Sequence, residues 1–248
     1  MKTIVSGLAI EYTDEGSGPT VLMLHGWADS LHTFDALIPE LQGHRIVRLD
    51  MPGFGSSERP KETWGVIEYA RFVQLFCKKI QADPQILIGH SFGGRLIIKG
   101  VGTGVFTPQK IILIASAGIA RKLTLKSLLL RTLAKIGKAL TLIPPFSLYR
   151  QEIRKNLYAI LGSDYFAAGS MRDVFLKVVR EDLVQFARQI RVPTLLVWGS
   201  LDSSTPLSDG EKIRDAIRFS ELQVINGATH FVHQEKPHEV ATLIKEFI

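Results

Sequence analysis

The sequence predicts an α/β protein with a doubly wound, mostly parallel sheet interrupted by a helical insertion. Three observations carry this reading. Along the 248 residues, short apolar runs rich in β-branched side chains alternate with amphipathic stretches; strands buried on both faces read as continuous apolar runs, and parallel pairing requires a crossover between them. The alternation breaks once, from about Gly118 to Arg191, where helical periodicity continues without a convincing strand. The length suits a single domain of this class.

In chain order, MKTIVSGLAIEYTDEG reads as a strand hairpin. Strands follow at 20–26 (TVLMLHG), 45–53 (RIVRLDMPG), 85–91 (QILIGHS), 110–118 (KIILIASAG), 194–200 (TLLVWGS) and 221–227 (ELQVING). Amphipathic segments at 31–42, 66–80, 91–105, 207–217 and 237–247 supply the crossovers. The core is therefore expected at 1–117 and 192–248, with a helical cap at 118–191 inserted after the sixth strand. No Gly-, Ser- or Pro-rich linker flanks the insertion, so it is expected to pack on the core. Within it, Leu125, Leu129, Leu133, Ile136, Leu140 and Ile143 recur at steps of three and four, with Lys126, Arg131, Lys135 and Lys138 largely elsewhere. That pattern is an amphipathic helix with a basic face. It reads as a lid helix showing its cations to water, the alternative being contact with a membrane surface or an anionic ligand.

Composition narrows the class. Hydrophobic residues at 46% and charged residues at 22% fit an ordinary globule and exclude collagen-like and disordered chains. The single cysteine, Cys77, can form neither an internal disulfide nor a zinc site, so a reducing, cytoplasmic setting is expected. The N-terminus lacks an export signal, and no window reaches the ~18–20 uncharged apolar residues of a membrane span. The net charge of +6 is unevenly spread: residues 118–191 hold 14 basic and 5 acidic side chains, a surplus of +9, against 16 and 19 in the rest, or −3. No helix-turn-helix, stacking platform or basic stripe accompanies the charge, so nucleic acid is not an expected partner. The basic cap is expected to favour anionic surfaces or substrates, through weak peripheral contact at most.

The chemistry is concentrated in QILIGHSFGG. An apolar strand runs into Gly89-His90-Ser91-Phe92-Gly93 and then a helical stretch, the strand-turn-helix context of a G-x-S-x-G nucleophile elbow. Small residues two before and two after Ser91 leave room for a tight, strained turn that exposes the hydroxyl, and the following helix aims its N-terminal amides at developing negative charge. A serine needs a base and a group to orient that base. Asp202 follows TLLVWGS and His230 follows ELQVINGA, both at carboxyl ends of strands, where open α/β sheets bind ligands. Asp209 is a second choice for the acid; His233 and His238 rank behind His230. His25 and His32 read as structural, and His90 fills the variable elbow position. An oxyanion needs two backbone donors. Phe92 supplies one; the turn His25-Gly26-Trp27 supplies the other, through Trp27 or, failing that, Ala28.

Taken together, HGW at 25–27, LDMPGFGSS at 49–57, GHSFGG at 89–94, VWGSLD at 197–202 and GATHFVHQEKP at 227–237 resemble the α/β-hydrolase family over essentially the whole chain. The resemblance implies a cap after KIILIASAG, catalysis by Ser91, Asp202 and His230, and no cofactor or metal. Serine at the elbow excludes the family's dehalogenase and epoxide-hydrolase branches, which place aspartate there. Thr229 stands where many relatives have glycine, and the cap matches no substrate pattern. The expected activity is hydrolysis of carboxylic esters of small apolar molecules through an acyl-enzyme, in a pocket lined by Trp27, Phe92, Phe231 and cap leucines. An alternative is C–C bond cleavage or elimination on a carboxylate-bearing diketo substrate, with Arg95 holding the carboxylate; the reading preferred for Arg95 itself is an ion-paired helix residue. A remoter alternative is a small-molecule receptor that retains the triad.

Overall fold

The computed structural model describes residues 1–120 and 171–248. The amphipathic stretch 122–143 and most of the 118–191 insertion lie outside the described residues. The chain divides into two compact units, Met1–Ala120 with Leu176–Ile248, and Arg121–Phe175.

The first unit is built on one sheet. Its strands are β1 (Lys2–Val5), β2 (Leu8–Gly16), β3 (Thr20–Leu24), β4 (Arg45–Leu49), β5 (Pro84–His90), β6 (Lys110–Ile114), β7 (Thr194–Gly199) and β8 (Ser220–Ile225). They lie in the order β1-β2-β4-β3-β5-β6-β7-β8. The hairpin β1–β2 and the pair β2–β4 are antiparallel, and the other pairs are parallel. The doubly wound fold is borne out. All of β3 and β7 is buried, as continuous apolar runs require, whereas the edge strand β8 buries only Ile225 fully. The chain moves outwards from β3 to β4 and then returns to the other side of β3 as β5, so the loops after β3 and β5 open at a topological switch point.

Helices α1 (Val66–Lys79), α2 (Phe92–Gly102), α3 (Arg172–Arg180), α4 (Val184–Ala187), α5 (Leu207–Ala216), α6 (Val232–Glu235) and α7 (Pro237–Phe247) accompany the strands. The α1 N-terminus is closed by Glu68, whose Oε2 accepts the Gly65 amide at 2.7 Å. Residues Leu31–Glu40 form a 3₁₀ helix, which contains Pro39 and has no side-chain cap at Ser30. Where the chain leaves for the insertion and returns from it, the Leu183 amide donates to the Gly118 carbonyl and Asp182 Oδ2 accepts the Ala120 amide. The two stems are thus tied side by side.

Candidate active site

Ser91 sits between β5 and α2 at φ 48°, ψ −105°, a conformation that costs a non-glycine residue of order 1–3 kcal/mol. Neighbouring elements over-determine the turn. The Ser91 amide donates to the Ile114 carbonyl, and its own carbonyl accepts from Ala117 and Arg95. A Cβ on Gly93 would fall 1.9 Å from the Leu24 carbonyl oxygen, and one on Gly89 would fall 2.6 Å from the Gly94 nitrogen. Helix α2 starts at once, so its first amides have no partner within the helix.

The Asp202 and His230 side chains meet. Asp202 Oδ2 lies 2.8 Å from His230 Nδ1, with the carboxylate side chain wholly buried and the imidazole 14% exposed. Asp202 Oδ1 accepts the amides of Ser204 and Thr205, and Oδ2 also accepts the Thr205 hydroxyl at 2.8 Å. Burial pushes this carboxyl up, but the hydrogen bonds and charge of His230 and the bonds from Thr205 outweigh it, and the pKa lies below the ordinary aspartate value. The carboxylate is therefore ionised and holds the imidazole through Nδ1, leaving Nε2 for proton transfer.

Thr205 went unnoticed in the sequence. Its hydroxyl lies 3.0 Å from the Ala115 carbonyl and 3.2 Å from His230 Nδ1, and its own carbonyl accepts Trp198 Nε1 at 2.7 Å. The available signal was its place three residues after the acid, the spacing at which an aspartate side chain captures following amides.

On the other side of the switch point, buried His25 shapes the turn before Trp27. Its Nδ1–H donates to the Gly26 carbonyl at 2.7 Å and its Nε2 accepts the Met51 amide at 2.9 Å, while burial lowers its pKa. Ala28 adopts φ 55° just beyond. The Trp27 ring packs edge-on against Phe54 at 4.8 Å and Phe92 at 5.4 Å, and Tyr69 closes on Phe92 at 5.2 Å. Phe92 is 2% exposed, so its ring is a wall of this aromatic cluster rather than a free contact surface. Phe231, by contrast, is 42% exposed, with its ring 5.5 Å from that of His230.

Arg95 corrects an expectation. It is buried, and its Nη2 donates to the carbonyls of Val178, at 2.7 Å, and Glu181, which terminate α3. One turn on, Lys99 pairs with Glu181 at 2.6 Å. Burial draws Arg95 down to about 10, with Glu181 and Asp182 acting in opposition. Its guanidinium satisfies the orphan carbonyls of a helix end and is not presented to a substrate carboxylate. Of the other candidates, Asp209 pairs with Lys212 on α5, His32 with Asp35, and His238 with Glu40. His233 is buried, with Nε2 2.9 Å from Thr33 Oγ1. Among the described residues, no group of acidic, histidine or cysteine side chains could hold a metal, and no helix is long and apolar enough to cross a membrane.

The sequence model described as "Alpha/beta hydrolase family" matches residues 21–243. A 2-hydroxy-6-oxononadienedioate/2-hydroxy-6-oxononatrienedioate hydrolase from Klebsiella pneumoniae is 25% identical over 97% of this chain and 91% of its own. Monoacylglycerol lipase abhd6-B from Xenopus laevis is 25% identical over 94% and 76%. Among solved structures, a bromoperoxidase from Bacillus anthracis superposes with a TM-score of 0.77 at 20% identity, covering 100% of this chain and 99% of that one.

Proposed function

The chain belongs to the alpha/beta hydrolase family, and from that premise we propose that it is a serine hydrolase that cleaves carboxylic esters of small apolar molecules. The observation that carries this reading is the buried 2.8 Å pair of Asp202 and His230 on the loops that follow β7 and β8, at the same carboxyl end of the parallel strands as the strained elbow of Ser91. Ser91 Oγ attacks the ester carbonyl as His230 takes its proton, and Asp202 stabilises the resulting imidazolium. The amides of Phe92 and Trp27 receive the oxyanion. His230 then protonates the departing alcohol, and water, activated by the same imidazole, releases the acid. The aromatic rings of Trp27 and Phe231 line the approach.

Wild-type protein should turn over p-nitrophenyl butyrate and be labelled at Ser91 by a fluorophosphonate. Ser91→Ala should lose both, with kcat falling by at least about 10³-fold. Unchanged turnover in Ser91→Ala would sink the reading.

The similarity to a C–C bond hydrolase supports a second reading, cleavage of a diketo acid by the same serine. Such a substrate needs a carboxylate anchor, and Arg95 is already bound to main-chain carbonyls. Comparing neutral esters with ring-cleavage diketo acids separates the two.

A further inference from the structure

We propose that His90 is a positioning residue that sets the base against the nucleophile by carrying the main chain of His230. The inference rests on the serine-hydrolase reading and deepens it. His90 Nε2 lies 3.1 Å from the His230 carbonyl oxygen; because a carbonyl only accepts, the ring is the donor and its Nδ1 holds a lone pair. Through this one bond the residue adjoining Ser91 fixes the backbone of the base, independently of the Asp202 contact at the other end of the imidazole.

The ring touches the third loop of the site as well. A Cβ on Gly26 would lie 2.8 Å from His90 Nδ1 and 3.6 Å from Ser91 Cβ, so the turn before Trp27 packs directly on this histidine. That approach shields Nδ1, which is buried and has no hydrogen-bond partner. Behind His90 stands His233, with ring centroids 4.4 Å apart, and His233 is tied through Thr33 to the 3₁₀ helix. The His230 ring lies 4.9 Å from that of His90. Elbow, base loop and oxyanion loop thus converge on one buried, uncharged imidazole. A shift of the base by about 1 Å costs a hydrolase roughly 100-fold in rate.

Reach separates positioning from filling. In His90→Gln the amide nitrogen extends to the His230 carbonyl, whereas in His90→Asn, equally polar, it stops short. With p-nitrophenyl butyrate, His90→Asn and His90→Leu should lose about 100-fold in kcat with KM within about two-fold. His90→Gln should recover to within about ten-fold of wild type. The low-field proton of the Asp202–His230 pair should persist in all three by NMR. Equal kcat for Gln and Asn, or wild-type kcat in Asn, would overturn the proposal, and the comparison holds even if the leucine variant fails to fold. An active Ser91→Ala control would instead overturn the serine reading on which the proposal rests.

Discussion

The two ends of the sheet can be compared directly. At the amino ends of its strands a cleft of about 590 Å³ is lined by Thr20, His44, Arg45, Gln85 and Lys110. Several of its polar groups pair locally, although buried His44 Nδ1 has no hydrogen-bond partner: Arg45 grips Asp14 through two bonds of 2.9 and 2.7 Å, Lys110 donates to the carbonyls of Phe247 and Ile248, and Gln85 accepts the Thr20 amide. The positive φ of Gln81 there follows the end of α1, an ordinary way to terminate a helix. At the carboxyl ends, Ala28, Ser91 and Ala115 all hold positive φ on successive loops, and the buried polar groups join one network through Thr205, Asp202, His230 and His90. At the carboxyl ends the positive φ values coincide with the linked Asp202–His230–His90 network, where the proposed chemistry lies.

The largest effect expected within that network is at Asp202. Asp202→Asn keeps the shape but presents an amide that favours the wrong imidazole tautomer, and kcat should fall by about 10⁴-fold with the fold retained. A loss below ten-fold in ester hydrolysis would dissolve the network. Thr205 is the milder test. Thr205→Val removes the hydroxyl, whose single proton can bond either Asp202 Oδ2 or the Ala115 carbonyl, so kcat should drop by about ten-fold, and Thr205→Ser should restore most of it. Equal rates for valine and serine would remove Thr205 from the network.

Acid should also distinguish the two ends. Burial, and then the charge of His230, depress His233 to about 3, and burial holds His90 well below its ordinary value. Between pH 6.5 and 3 the unfolded chain therefore binds protons that the folded chain refuses, so stability is present above pH 6.5 and is lost as pH falls through that window. Most carboxylates titrate below about pH 4.5, so the upper part of the window reports the histidines. Thermal melts from pH 7 to 4.5 should show a falling Tm, and His233→Gln, which keeps a polar partner for Thr33, should flatten the slope. An unchanged slope would mean that these histidines are not buried neutral in solution.

How much of this was legible in the sequence follows from range. Strands β3, β5, β6 and β7 were readable because burial on both faces writes an uninterrupted apolar run, although β6 stops at Ile114 where the run suggested Gly118. The elbow, and the acid and histidine after β7 and β8, were readable because each is local to a strand end. Thr205 was not, because its partners Ala115 and His230 lie 90 and 25 residues away. His90 was passed over for the same reason, its acceptor being 140 residues on. The candidate carboxylate role of Arg95 could not be judged from the sequence, because periodicity tells which helix face is covered but not that the end of α3 covers it. The basic stretch of the insertion lies outside the described residues, and its expectation stands as a charge count.

The smallest effect is the one that tests the comparison from its other side. Arg45 lines the amino-end cleft, and its pairing with Asp14 keeps that carboxyl below its usual range, chiefly through their hydrogen bond. The pair is partly exposed, so its loss should cost about 1 kcal/mol or less. Arg45→Ala should therefore lower Tm by a few degrees and leave kcat and KM for p-nitrophenyl butyrate unchanged, because β3, β4 and β5 stay in register through their own main-chain bonds. A fall in kcat larger than about three-fold at constant fold would show that the ends of the sheet are coupled, and the division between a structural end and a chemical end would fail.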